Sequence, residues 1–188
     1  MTKEELAPFV DYDNSIAKQR LVYKFNSWYI IDRFLLTSLF VLIAAGMLYA
    51  GYEECSRDNN YAYLIVGILI SIWLISSLVF LNKLVVVNGT KTMLKNREDV
   101  RKVFAHFYND LTYNYNSKNV IRDVVPTKWT NGRILTVIFD DSNNKIYFHR
   151  ATLIRGSSIS PMSGWINYWK CKNLAKYFQE LQAKIETA

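Results

Sequence analysis

Two long stretches of this chain carry no charge. Phe34 to Tyr52 reads FLLTSLFVLIAAGMLYAGY, nineteen residues, and Tyr61 to Leu81 reads YAYLIVGILISIWLISSLVFL, twenty-one. A bilayer core of about 30 Å is crossed by about 20 apolar residues, and in lipid a helix satisfies its own backbone hydrogen bonds. A core helix of a soluble bundle rarely stays apolar on every side for so long. The chain is 51% hydrophobic, yet its mean hydropathy is −0.01, so the apolar content is concentrated here. The expectation is a membrane protein built on a two-helix transmembrane hairpin, with spans over 34–52 and 61–81 and an outer loop over 53–60.

Rings and charges at the ends of the spans fit that reading. Trp28, Tyr29, Tyr52 and Tyr61 stand where amphipathic rings suit the headgroup boundary, with Arg33 and Lys83 beside them. The connecting segment EECSRDNN holds three acids and one base, whereas Lys18, Arg20, Lys24 and Arg33 precede the first span and Lys83, Lys91, Lys95, Arg97, Arg101 and Lys102 follow the second. Basic flanks stay inside, so both termini are expected in the cytoplasm and the short loop outside. No short apolar region with a small-residue cleavage site precedes Phe34, and the first span is expected to persist. Asn88-Gly89-Thr90 matches a glycosylation acceptor but would face the cytoplasm, and it reads as a turn. Cys55, outside, and Cys171, inside, cannot pair within one chain.

Residues 1–13 are polar, contain Pro8 and read as an irregular cytoplasmic arm. Asn14 and Ser15 can cap a helix, and Ile16, Leu21, Phe25, Trp28 and Tyr29 recur beside Lys18, Arg20 and Lys24. That pattern predicts a basic amphipathic juxtamembrane helix over 14–33, lying along the headgroups or bending into the span. The spans hold no acid, base, histidine or proline, unlike the broken or ionisable helices of transporters. Gly46 in the first, and Gly67 and Ser71 in the second, offer small surfaces for close helix packing, within the hairpin or between copies.

The run LVVVN after Lys83 either extends the second helix or leaves it as a short strand, and residues 88–188 read as a basic cytoplasmic domain. Val100, Val103, Phe104, Phe107, Tyr108 and Leu111 share one face of a helix from Arg97 to about Thr112, capped by Asn96. The stretch 113–119 reads as a loop. Strands follow over 120–125, 134–139 and 145–153, the last two joined as a hairpin through Asp141-Ser142-Asn143-Asn144. Alternation puts Ile146, Phe148, Arg150 and Thr152 on one face and Tyr147, His149 and Ala151 on the other. After an irregular segment over 156–164, a helix from about Asn167 to Ile185 carries Leu174, Phe178, Leu181 and Ile185 on one stripe. The expected class is a small α+β domain of order α-β-β-β-α.

Chemistry-bearing patterns are sparse. His106 and His149 have no Cys, Asp or Glu at ligand spacing, and the chain shows no phosphate loop, nucleophile elbow or dinucleotide fingerprint. No metal, cofactor or enzymatic activity is therefore expected. Charge is the stronger signal: from residue 88 onward sixteen Lys and Arg face eight Asp and Glu, a net +8, whereas residues 1–87 sum to −1. Lys128, Trp129, Arg133, Arg155, Trp165, Trp169 and Lys170 interleave rings with bases. Such a pattern suits anionic lipid headgroups, nucleic acid through base stacking, or an ordinary solvated surface over an aromatic core.

In layout, an uncharged hairpin followed by a small basic domain, the chain resembles the small two-transmembrane effectors of bacterial anti-phage systems, such as those paired with retrons or with cyclic-nucleotide signalling. The resemblance covers that layout and carries over no functional residue. It implies a non-enzymatic antiviral defence effector whose domain receives a cytosolic cue or protein partner and whose hairpin clusters, as in a homo-oligomer, or perturbs the bilayer. The other expectation is a constitutive accessory subunit that fills a site in a larger membrane complex.

Overall fold

The structure, a computed structural model, describes residues 10–24, 27–58, 61–109, 111–116, 119–125, 132–154 and 159–186, with backbone alone at 27–30, 32–33, 58, 112–116 and 184–186. After a short helix α1 (Tyr12–Lys18), the two uncharged stretches fold as long helices, α2 (Ser27–Asp58) and α3 (Ala62–Phe80). Both are long and apolar enough to cross a membrane. Their side chains point outward on nearly all sides: Phe34, Leu42, Leu69 and Ile75 are each more than 60% exposed.

The two helices meet where glycine lets backbones approach. A Cβ on Gly51 would lie 2.8 Å from the Leu64 backbone, and one on Gly67 would lie 3.2 Å from the Met47 carbonyl oxygen. Gly67 thus serves the crossing within the hairpin, Ser71 donates its hydroxyl back to the Gly67 carbonyl at 2.8 Å, and Gly46 faces open space. Gly51 does the same work as Gly67 but was not singled out by spacing. α2 also runs further than the expected span, through an exposed Glu53–Arg57 pair at 3.3 Å, so the outer loop expected over 53–60 shrinks to the few residues between the helices.

Beyond α3 lies an antiparallel sheet of order β1-β5-β4-β3-β2, formed by β1 (Val85–Asn88), β2 (Thr112–Asn116), β3 (Val120–Val125), β4 (Gly132–Asp140) and β5 (Lys145–Leu153). The last three are the expected strands, and Asp140 closes the β4–β5 turn by accepting from the Asn143 amide at 3.2 Å. Both edges are additions to the α-β-β-β-α order. β1 follows α3 within four residues and pairs with β5, so the folded domain begins before residue 88. β2 occupies most of the stretch expected as a loop, pairing with β3 around an irregularity between Tyr113 and Tyr115. Its asparagines disfavour a strand, and the open edge of β3 decides otherwise.

One face of the sheet carries α4 (Met93–Phe107) and α5 (Gly164–Glu186), the latter preceded by a 3₁₀ turn, Pro161–Ser163. Val100, Val103, Phe104, Leu174 and Phe178 pack there on Ile121, Leu135, Val137, Ile146 and Phe148. α4 starts four residues earlier than expected, behind Thr92, and ends at Phe107. Asn96 is not its cap. The buried Asn96 amide instead donates to the Lys91 carbonyl at 2.9 Å and accepts from Gln182 Nε2 at 2.6 Å, tying α4 to α5.

The opposite face is covered by the segment before the hairpin, where the sequence reading needs correction. Instead of one helix over 14–33 preceded by an arm, α1 starts behind Asp11, which caps Asn14, and stops at Gln19 in the left-handed conformation. Arg20 and Tyr23 then run extended, bridging Lys83 and Val10. Leu21, 2% exposed, packs with Leu84, Val120, Ile138 and Tyr147, flanked by Tyr12, Ile16 and Tyr23. Of the apolar residues read as a stripe for headgroups, Ile16 and Leu21 help to close the sheet's second face, and the side chains of Phe25, Trp28 and Tyr29 lie outside the described residues. The chain before α2 and the chain after α3 therefore share one domain at one end of the hairpin.

The tightest crossing lies where α5 begins. A Cβ on Gly164 would stand 1.9 Å from the Ser77 carbonyl oxygen and 2.9 Å from Leu81 backbone atoms. Gly164→Ala is expected to lower stability by about 1–3 kcal/mol or more, because backbone must move apart. Gly46→Ala, with open space, is expected to stay near wild type. Thermal unfolding of both variants in detergent micelles checks the pair.

Candidate functional site

The junction of α3, the sheet and α5 is where the chain concentrates its unusual contacts. A helix ends with unpaired carbonyls that need partners. Here the Leu81 and Lys83 amides meet the carbonyls of Leu78 and Phe80 locally, and distant segments meet those of Val79 and of the turn that follows. Arg20 Nη2 donates to the Val79 carbonyl at 2.8 Å, placing a guanidinium at the negative end of α3. The Leu81 carbonyl accepts from buried His149 Nε2 at 3.0 Å, and the Asn82 carbonyl accepts from the Leu21 amide at 2.7 Å. Ser77, fully buried, donates its hydroxyl to the Met162 carbonyl at 2.9 Å. The end of α3 is thus held by the N-terminal segment, by β5 and by the turn that opens α5.

Around that joint lies a cluster of rings and ammonium groups. Phe80 meets Trp165 edge-on at 5.1 Å and Tyr168 at 4.7 Å, and Trp165 meets Trp169 at 5.7 Å. Lys83 Nζ lies 5.1 Å from the Phe80 ring centre, and Lys172 Nζ lies 4.6 Å from that of Trp169. Because α5 starts at Gly164 rather than Asn167, Trp165, Ile166 and Trp169 stand on its outer side together, with Lys170 and Lys172 exposed beside them. Of the residues expected to meet anions, lipid or nucleic acid, the structure brings Trp165, Trp169 and Lys170 together. It adds Ile166 and Lys172, which the adjacency of rings and bases in the sequence does not reveal. A helical wheel over 164–173 would have found both.

Arg133 lies elsewhere, half-buried on β4, where it opposes Thr152 across the strands. Lys128, Trp129 and Arg155 fall outside the described residues, as do the side chains of Trp28, Tyr29 and Arg33. Tyr52 and Tyr61 are exposed at the far end of the hairpin, and Lys83 is exposed at the near end.

Under α4 and α5 lies a second polar group, within the core. Arg150 donates to Asn167 Oδ1 at 2.8 Å, an oxygen that also accepts from Thr152 Oγ1 at 3.1 Å. Burial pushes the Arg150 pKa down, opposed by the nearby Tyr108, and burial pushes the Tyr108 hydroxyl up. Asp123, buried, is paired with Arg101, and Asp99, equally buried, with Lys91 at 2.7 Å. Cys171 lies in the same layer, 1% exposed, its thiol pushed up to about 12 by burial despite the attraction of Arg150. Arg101–Asp123 and Arg150–Asn167 hold strands to helices, Lys91–Asp99 ties α4 to the loop before it, and part of the basic excess is thus spent inside the domain.

The buried thiol yields a direct check. With its pKa near 12 and no access to water, Cys171 stays protonated and silent at pH 8, whereas Cys55 is partly exposed. A maleimide is expected to label one thiol per chain in the native detergent-solubilised protein and two in denaturant, and Cys55→Ser is expected to abolish native labelling.

No family model matches this chain, and neither the curated proteins nor the solved structures compared with it contain a match.

Proposed function

We propose that this chain is a two-span protein of a bacterial inner membrane, with both termini in the cytoplasm, whose α+β domain receives a cytosolic partner or ligand and passes the change to the hairpin. The observation that carries the reading is the clamped end of α3: three separate segments of the domain hold the last carbonyls and the last buried hydroxyl of one long apolar helix. A movement of the Arg20–Leu21 segment, of β5 or of the turn before α5 is passed to the end of α3 through these bonds. Such a joint suits a sensor or effector, in which an event in the domain makes hairpins cluster or disturb the bilayer, as the resemblance in layout to small defence effectors implies.

Three features support the membrane placement. The exposed side chains of α2 and α3 are apolar on nearly all sides, and so much contiguous apolar surface is rare on a soluble monomer. The segments on either side of the hairpin are packed together, as two spans require. The basic excess lies in the domain, as expected of a cytoplasmic face. The reading is non-enzymatic: the buried polar groups described above are engaged in packing.

Expression of the full chain alone is expected to depolarise the membrane or arrest growth, with tags at both ends shielded from reagents added to intact cells. Loosening the joint with Arg20→Ala and Ser77→Ala removes hydrogen bonds of about 1 kcal/mol each. It is expected to weaken depolarisation on the order of tenfold while the protein stays in the membrane fraction. Harmless expression of a chain that is unstable without other membrane proteins would instead favour the accessory-subunit reading. External labelling of either terminus would reject the topology.

A further inference from the structure

We propose that the outer face of the first turns of α5, formed by Trp165, Ile166 and Trp169 with Lys83, Lys170 and Lys172 around it, docks on the anionic headgroup layer of the membrane that α3 crosses. The inference rests on the reading of α2 and α3 as spans, and it names the partner of the ring-and-lysine cluster.

Depth is the first argument. α3 has nineteen residues, about 28 Å of helix, close to the thickness of a hydrocarbon core. Ser77 lies three residues, about 5 Å, inside its end. The Ser77 hydroxyl bonds the Met162 carbonyl, and Gly164 touches the Ser77 carbonyl so closely that no Cβ fits between them. The turn before α5 is therefore held level with the last turn of the span, and the α5 rings of Trp165 and Tyr168, which meet Phe80, and Lys83 over Tyr168, stand at its end where hydrocarbon gives way to headgroups.

Chemistry is the second. Trp165, Ile166 and Trp169 are 38%, 47% and 46% exposed, an apolar patch on an otherwise polar helix face. Indole rings with one polar N–H favour the boundary between hydrocarbon and water. Lysines extend past such rings to reach phosphate. The sequence between Asp141 and Glu180 contains no acid, so nothing on this stretch repels an anionic surface. A nucleic acid would need open ring faces for stacking. Here Lys172 sits over the Trp169 ring and Phe80 packs against Trp165, an arrangement that suits headgroups better than bases.

The test uses the full chain in vesicles of phosphatidylcholine, alone or mixed with phosphatidylglycerol, brominated at shallow or deep acyl positions. One variant keeps Trp73 as its sole tryptophan and a second keeps Trp169, the others being Phe. Trp73, in mid-α3, reports the span, and deep bromines are expected to quench it. Trp169 is expected to be quenched by shallow bromines and shielded from aqueous acrylamide. The triple variant Lys83→Gln, Lys170→Gln, Lys172→Gln should cut that quenching about twofold or more in the anionic vesicles, since it removes the charges that attract an anionic surface. If Trp73 is quenched while Trp169 stays open to acrylamide in both lipids, the docking proposal fails and the spans stand. If Trp73 is not quenched, both fail. Quenching of Trp169 by an added single-stranded oligonucleotide but not by bromolipid also overturns it. Should the multiple replacements not fold, the difference in shallow quenching between wild type and Trp169→Phe decides the same question.

Discussion

Everything in this molecule is arranged around the carbonyl end of α3. A helix that stops leaves acceptors without partners, and the turn after this one meets the carbonyls of Leu78 and Phe80 but not those of Val79, Leu81 and Asn82. The partners are imported: Arg20 and Leu21 from the N-terminal segment, and His149 from β5, while Ser77 reaches the turn before α5. Removing any one segment would leave polar groups buried or half-buried without bonds, at a cost of about 1–3 kcal/mol each. The domain and the hairpin are consequently joined as a unit rather than strung on a linker.

That joint explains why the sheet is built from both sides of the hairpin. β1 leaves α3 so soon that its pairing with β5 sets the sheet against the end of the helix. One face is then closed by α4 and α5, the other by residues that precede α2. Tyr12 illustrates the second closure: its hydroxyl donates to the Phe139 carbonyl at 2.8 Å, across 127 residues of sequence. The cation count is likewise divided between two tasks. Arg101, Lys91 and Arg150 serve buried partners, whereas Lys83, Lys170 and Lys172 remain on the surface beside the α3 joint.

How far these features could be read in advance depended on the range of the interactions that set them. The uncharged helices, the β4–β5 hairpin and the alternation of Ile146 and Phe148 against Tyr147 are local patterns, and they stand as expected. Asn96 looked like a cap because its neighbours are helix formers, yet its amide is claimed by Gln182, 86 positions away. Leu21 looked like part of a lipid-facing stripe because the stripe fits helical spacing, yet its side chain, with that of Ile16, covers Ile138 and Tyr147. Periodicity records which residues avoid water. It does not record what they meet instead.

The ring-and-lysine cluster follows the same division. Trp165, Trp169 and Lys170 could be picked out as a composition, but their shared outer face depends on α5 starting at Gly164, and that start depends on the contact with Ser77. By itself the sequence determined the two long apolar helices, the strands of the central hairpin and the excess of positive charge after them, because each is set by neighbours within a turn or a strand pair. The tertiary structure alone decided the edge strand β2, the pairing of β1 with β5, the N-terminal cover and the clamp on α3. Each of these is a pairing between segments far apart in the chain, chosen by which open edge, bare face or unpaired carbonyl remained once the local elements had formed.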